Sequence, residues 1–543
     1  MIARTLLFLL LVLALPVWAD APITGFVVTS AGAAVGGALV RIQGTEVSAR
    51  TDPSGRFVLP RGHRAGVTVT AWKQGYLNGG TTVAAGGELV INLKPLPDRD
   101  HEGYAFVSPE APTFLQKLSI VFWKAAVLVT GNERLESHYA ANCANCHADT
   151  TLPQWRKDAH STAATNPIVL GMYNGTDNNG GRNVFPGYKL DFPNSAGNCA
   201  ACHAPAQAHA NPWGTDLNGI EGVARHGVFC DVCHKVEEVK LHPEGGYPGV
   251  LSLKFRRPPA GEQAFYGPFD DVIAGPDTYA PVFKSSRFCA SCHSAKFWGV
   301  PIYSEYDEWL ASPYAKDGKT CQSCHMAPDG KATHFVPPEK GGVRRDPKTV
   351  ATHDNPGVRD REFLSRAIKM EFTAVRRGAA IEATVKLVNE KAGHHVPTGV
   401  PMRNLILLVA ARDAAGHELN YLDKAVVPPW GGVGARGQGN YAGLPGKGFA
   451  KILADAAVSY PKFNPDRRAP TPHWRQARIE SDNRIPAKGS DVSRYRFEAK
   501  PGGGCVTVSG RLIYRRAFKP WTDAKGWQLA DTEMAAKEFT LCP

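Results

Sequence analysis

The sequence predicts a multidomain chain in which two β-sandwiches flank a central, mainly α-helical and irregular domain. Three observations lead there. Short apolar runs alternate with turns over residues 20–97, five Cys-x-x-Cys-His clusters crowd the middle, and strand-like alternation returns over residues 360–543. A chain of 543 residues exceeds what one hydrophobic core normally organises. Its 43% hydrophobic and 21% charged residues are ordinary for globular protein and exclude wholesale disorder.

Residues 1–19 read as a signal peptide. Met1 to Arg4 supply a short basic start, Thr5 to Val17 are apolar, and Val17-Trp18-Ala19 ends in a small residue suited to cleavage before Asp20. The apolar run is shorter than the about 20 residues that a spanning helix needs. No cysteine follows it, so no lipoprotein anchor is expected, and the mature chain is predicted to be exported to the periplasm or beyond, to the cell surface or the extracellular space. Phe114 to Thr130 is also apolar but carries Lys117 and Lys124. It is predicted to be an amphipathic helix packed on the central domain, with docking on a membrane surface as the second reading.

Within 20–97, strands are predicted at Gly25-Phe26-Val27-Val28, Ala38 to Ile42, Arg56 to Leu59, Val67 to Ala71 and Leu89 to Leu93. Thr51-Asp52-Pro53-Ser54-Gly55 is a turn, with proline presetting φ and glycine admitting a left-handed residue.

The central domain, 98–359, holds ten of the 12 cysteines in one repeated pattern. The copies are Cys143-x-x-Cys146-His147, Cys199-x-x-Cys202-His203, Cys230-x-x-Cys233-His234, Cys289-x-x-Cys292-His293 and Cys321-x-x-Cys324-His325. This is the covalent haem-attachment motif. Two thiols add to the porphyrin vinyl groups, and the histidine that follows is directed at the iron as proximal ligand. Zinc would also take paired cysteines but would not require a histidine after every second one. The spacing between motifs alternates long and short, which suggests that motifs two and three pair, as do four and five. Five porphyrins in this span would supply much of its apolar interior, leaving short helices and loops between them. The formal charge of +12 needs no nucleic acid to explain it, because five haems would add about ten propionate charges of opposite sign.

In 360–543, Ile368, Met370 and Phe372 share one face, Ala383, Val385 and Leu387 another, and Leu405, Leu407 and Val409 a third. A second β-sandwich follows, with a Pro- and Gly-rich excursion from about Pro428 to Pro472. Cys505 and Cys542 remain as a candidate disulfide that would pin the last strand to its neighbour.

Function turns on the second axial ligand. Two histidines make a closed site suited to electron transfer, whereas an open face admits a substrate. Ten further histidines lie between residues 98 and 400, enough to close every site. The ranked distal candidates are His160, His394, His353 and His226, followed by His138 or His334, for which a hydrogen bond to a propionate is the competing role. Met172, Met370 and Met402 lack supporting context.

Two resemblances sharpen this. Residues 22–95 resemble a carboxypeptidase-regulatory-like domain through Gly25-x-Val27, Ala38-x-Val40-x-Ile42, Thr51-Asp52-x-x-Gly55-x-Phe57 and Gly75-Tyr76. That implies a transthyretin-like sandwich without enzymatic activity, serving as a docking module or a spacer. Residues 137–515 resemble the multihaem cytochromes of the c-552/c-554 type. The matching stretches are Trp155-x-x-x-x-His160-Ser161, Glu308-Trp309-x-x-Ser312-Pro313-Tyr314, Gly318-Lys319-Thr320 with the fifth motif and Met326, His353-x-x-Pro356-Gly357, and Gly393-His394-His395-Val396-Pro397-Thr398-Gly399. The resemblance implies that His160 and His394 are distal ligands, the latter reaching a haem from the C-terminal sandwich. Asn355 replaces the aromatic residue usual after His353.

The expected function is electron carriage between redox partner proteins in a respiratory chain. The alternative is an oxidoreductase acting on a small nitrogen or sulfur species at one five-coordinate haem. A third reading, polymerisation into a haem filament, gains nothing from the surplus of histidines.

Overall fold

The computed structural model describes residues 22–60, 66–84, 88–112, 142–241, 247–456 and 469–543. The signal peptide, the amphipathic helix expected at 114–130 and His138 lie outside the described residues. The chain divides into two compact units, one of residues 1–98 with Phe269–Tyr279 and one of Arg99–Pro268 with Ala280–Pro543.

The first unit is β-rich. Strands Arg56–Leu59, Ile23–Thr29 and Leu89–Leu93 form one sheet in that order, and Ser48–Arg50, Leu39–Ile42, Thr68–Trp72 and Gly79–Thr82 form another. Alternate residues from both sheets, among them Val27, Val40, Leu59, Val69 and Ile91, meet in one core. Gly25 is required where its strand runs parallel to Leu89–Leu93, because a Cβ there would sit 2.2 Å from the Leu89 carbonyl oxygen. Asp52 closes its turn by accepting the Ser54 and Arg56 amides at 2.9 Å. Phe269–Tyr279 joins this unit through polar contacts. The Arg41 guanidinium pairs with Asp270 at 3.1 Å, the Gly44 amide donates to Asp271 at 2.9 Å, and Asn78 donates to the Val272 carbonyl at 2.9 Å.

The second unit opens with short helices joined by loops; no helix among the described residues exceeds the eight residues of Pro167–Asn174. Two sheets follow. Ile368–Arg377, Ala380–Asn389 and Ser490–Glu498 form the first, and Gly446–Phe449, Asn404–Arg412, Val506–Arg515 and Thr532–Leu541 the second. The alternation read from the sequence becomes the core between them, with Phe372, Val385, Leu387, Leu405, Leu407 and Val508 at its centre. A disulfide joins Cys505 to Cys542 beside the Val506–Leu541 register pair, tying the last two strands together. No helix among the described residues is long and apolar enough to cross a membrane.

Lys525, fully buried at the end of helix Lys519–Lys525, fastens a loop to the sheet region. Its ammonium donates to the carbonyls of Gly171 at 2.9 Å, Thr176 at 3.1 Å and Val184 at 2.6 Å. Lys525→Met would leave those acceptors without this donor. We expect a loss of roughly 2–4 kcal/mol, read as a lower urea midpoint at unchanged m-value.

Candidate metal centres

Each Cys-x-x-Cys-His motif occupies about one helical turn: Ala144–His147, Cys199–His203, Cys230–Cys233, Arg287–His293 and Gln322–His325. Residues three and four apart share a helix face, so both sulfurs and the imidazole project together. The backbone confirms the wind, with the amides of His147, His234 and His325 donating to the carbonyls of Cys143, Cys230 and Cys321 at 3.0, 2.8 and 2.9 Å.

Four of these imidazoles place Nδ1 against a backbone carbonyl. His147 meets Phe335 at 3.0 Å, His203 meets Ala163 at 3.0 Å, His234 meets Tyr266 at 2.6 Å and His325 meets Pro356 at 2.8 Å. A ring that donates from Nδ1 presents the Nε2 lone pair, the form a metal requires. Burial favours the same neutral form, lowering His147, His203 and His234 and bringing His325 down to about 4. His293 differs. Burial alone would lower it, but the Glu305 carboxylate 3.5 Å from Nδ1 raises it to about 9.

Two imidazole pairs face each other at the right separation for a metal between them. The ring centroids of His325 and His394 are 6.5 Å apart with planes 17° from parallel. Those of His160 and His293 are 6.3 Å apart with planes at 89°. A metal–nitrogen bond of roughly 2 Å on each side, plus half of each ring, gives roughly 6 Å. The residues therefore fit a six-coordinate iron. The side chains of His160 and His293 keep 40% and 47% of their exposure, which leaves their faces open to a planar group.

The loop that brings up His394 is clamped from below. Glu308, 7% exposed, accepts the His395 amide at 3.0 Å and the Arg484 guanidinium at 2.8 Å. Trp309 donates to the Lys319 carbonyl at 2.8 Å, and the Tyr314 hydroxyl donates to that of Glu390. Gly393 lies against Trp309, where a Cβ would meet the ring at 3.3 Å. The Glu308-Trp309-x-x-Ser312-Pro313-Tyr314 stretch is thus the platform on which the Gly393–Gly399 loop rests.

His160 is held in a comparable way. Asp158, 3% exposed, accepts its ring Nδ1 at 2.7 Å and the Asn355 amide group at 2.8 Å. This contact is the local role of Asn355.

The remaining candidates separate. His353 is half-buried, is lowered to about 4 by desolvation, and lies within electrostatic reach of His234 and His147; its Nδ1 has no hydrogen-bond partner. His226 packs between Trp155 and Phe229, at 6.0 and 6.3 Å between centroids. His334 contacts the Thr333 hydroxyl at 3.1 Å. Met172 and Met402 are buried in one apolar cluster and Met370 in another, which makes them core residues. One histidine outside the 98–400 window joins the set. His473 is half-buried, lowered to about 4 by desolvation and by the neighbouring His203, and its Nε2 lies 3.2 Å from the Tyr303 hydroxyl.

Sulfur proximity orders the motifs. Cys143 lies within interaction range of Cys230, Cys202 of Cys292, and Cys289 of Cys321. Motifs four and five are neighbours, as their spacing suggests. Motif one also lies beside motif three, and motif two beside motif four, neighbours that the spacing does not announce.

With this geometry established, the comparisons fall into place. The model of the carboxypeptidase regulatory-like domain matches residues 22–94. The chain is similar in fold to a penta-heme cytochrome c552 from Thermochromatium tepidum, with a TM-score of 0.51 and 22% identity over 74% of this chain and 97% of that one. No curated protein matches the chain.

Proposed function

We propose that the chain is an exported c-type cytochrome in which five haems, one on each motif, carry electrons between redox partner proteins in the periplasm or at the cell surface. The observation that carries this reading is the two pairs of facing imidazoles, at 6.3 and 6.5 Å, each uniting a motif histidine with a histidine remote in sequence. On this reading the cysteines form thioethers, His147, His203, His234, His293 and His325 are proximal ligands, and His160 and His394 close the fourth and fifth sites. His353 serves the third or the first. The N-terminal unit is a transthyretin-like sandwich used for docking, and the C-terminal sheets form a second sandwich that caps the fifth haem. Iron closed by two imidazoles exchanges electrons with little rearrangement, which is what a carrier needs.

A second reading has one observation in its favour. Tyr303 and His473 form a polar pair beside His203, the arrangement expected over a haem face that receives a small nitrogen or sulfur species. Intact mass with and without chemical cleavage of thioethers tests haem number, and low-temperature EPR separates the two readings. The carrier predicts five added haems, all low-spin. The imidazole planes further predict two signal types, a rhombic one from the nearly parallel His325–His394 pair and a strongly axial one from the perpendicular His160–His293 pair. A high-spin signal of one haem in five, lost on adding nitrite or cyanide, establishes the second reading.

A further inference from the structure

We propose that Asp158 and Glu305, each set on the Nδ1 of one imidazole of the His160–His293 pair, make the fourth haem the lowest-potential centre of the protein. The inference rests on the haem reading above and deepens it.

The contrast among the sites carries the argument. At motifs one, two, three and five the proximal Nδ1 meets a neutral carbonyl, at 2.6–3.0 Å. On the distal side of the fifth site, His394 Nδ1 meets the His395 carbonyl at 2.9 Å. Among the described residues, the fourth site has a carboxylate on both sides. Asp158 accepts from His160 Nδ1 at 2.7 Å and Glu305 lies 3.5 Å from His293 Nδ1.

Both carboxylates are built in rather than incidental. Asp158 is 3% exposed and is fixed by the Asn355 amide group at 2.8 Å and the His160 backbone amide at 3.2 Å. Glu305 has one oxygen toward His293 and the other, Oε2, buried without a hydrogen-bond partner. Arg403 stands near Glu305 and offsets part of its charge. A carboxylate acceptor draws the Nδ1 proton away from the ring. The imidazole gains anionic character, donates more strongly to iron and stabilises the oxidised state. A carbonyl acceptor does this more weakly, having no net charge, and in a buried setting the difference is amplified.

The position makes the property consequential. Cys292 contacts Cys202 and Cys289 contacts Cys321, while Cys233 lies within electrostatic reach of both Cys289 and Cys292. The fourth haem thus adjoins those of motifs two, three and five. A junction that is hardest to reduce keeps electrons on the arms and is crossed rather than occupied.

The test is a redox titration of the full-length holoprotein, following the axial EPR signal of the perpendicular pair separately from the rest. Asp158→Asn and Glu305→Gln preserve shape and remove charge. In the native protein the axial signal should be the last to disappear on reduction. Each variant should ease its reduction by about tenfold, about 59 mV for a one-electron centre, with the other signals unmoved and five haems still bound. An axial signal that titrates with the others, or a shift shared evenly by all haems, would overturn the proposal. Should the glutamine variant fail to fold, the Asp158→Asn protein carries the same decision alone. Missing haems or a missing low-spin signal in the native protein would instead refute the underlying reading, so the two failures are distinguishable.

Discussion

Asp231→Ala is expected to destabilise the second unit by about 3–5 kcal/mol, the cost of removing one partner of a buried ion pair. Asp231 and Lys235 are both 0% exposed, one helical turn apart, and the ammonium contacts the carboxylate directly. Asp231 also accepts the Tyr104 hydroxyl at 2.8 Å and the Val107 amide at 2.7 Å, so one side chain ties the segment before the first motif to the helix of the third. Alanine removes all three acceptor roles at once. The ammonium would keep its place over the Phe265 ring, 4.1 Å from the centroid, which offsets only part of the loss. Asp231→Asn retains two acceptor contacts and should lose less. In the double variant Asp231→Ala/Lys235→Met the charge to be compensated is gone, and part of the stability should return. Chemical denaturation of the four proteins measures this. Equal losses for Asp231→Ala and the double variant would show that the hydroxyl and amide contacts, not the ion pair, carry the cost. Because Asp231 sits between Cys230 and Cys233, a weakened helix should also, on the proposed haem reading, lower haem attachment at that motif, visible in the mass.

What the sequence disclosed depended on how local the signal was. Motif, proximal histidine and strand alternation are each written within ten residues, and the core residues Phe372, Val385 and Leu405 lie where period-two alternation put them. The His394 loop and its Glu308 platform could be read only through resemblance, since their contact spans more than eighty residues, but both stretches were marked. His473 carried no mark at all. It stands in a Pro-rich excursion, far along the chain from His203, and only folding reveals the neighbourhood. The same holds for Phe269–Tyr279, whose acidic pair Asp270-Asp271 finds Arg41 and Gly44 in the N-terminal unit with no periodicity to announce it. Asp158 and Glu305 likewise look like ordinary helix-flanking acids until their partners are known.

Glu308→Ala should both destabilise the protein and, on the proposed haem reading, loosen His394 as distal ligand of the fifth site. Glu308 and Arg484 are 7% and 6% exposed, and Glu308 also accepts the Ser304 hydroxyl at 2.7 Å and the His395 amide at 3.0 Å. Burial alone would raise this carboxyl, but His395 and Arg484 outweigh it and hold it well below the ordinary 4.5. A depressed carboxylate stabilises the fold fully above its unfolded value, and that contribution is lost as pH falls through the region below about 4.5. Arg484 retains Asp482 at 2.7 Å after the substitution, so the loss at neutral pH should be about 3 kcal/mol, the lower end for a broken buried pair. The variant should also lose part of the native protein's acid sensitivity, because a carboxyl whose protonation costs stability is gone. The His395 amide is adjacent to His394, so freeing it lets the Gly393–Gly399 loop drift from His325. A fraction of the rhombic low-spin signal should become high-spin, while the axial signal from the His160–His293 site stays intact. Glu308→Gln has a single acceptor oxygen; turned toward the His395 amide, it keeps that contact while losing the charge and the Ser304 acceptor, so it should preserve the rhombic signal and lose stability alone. If Glu308→Ala melted like the native protein at neutral pH and kept its full rhombic signal, the clamp would have no part in holding His394.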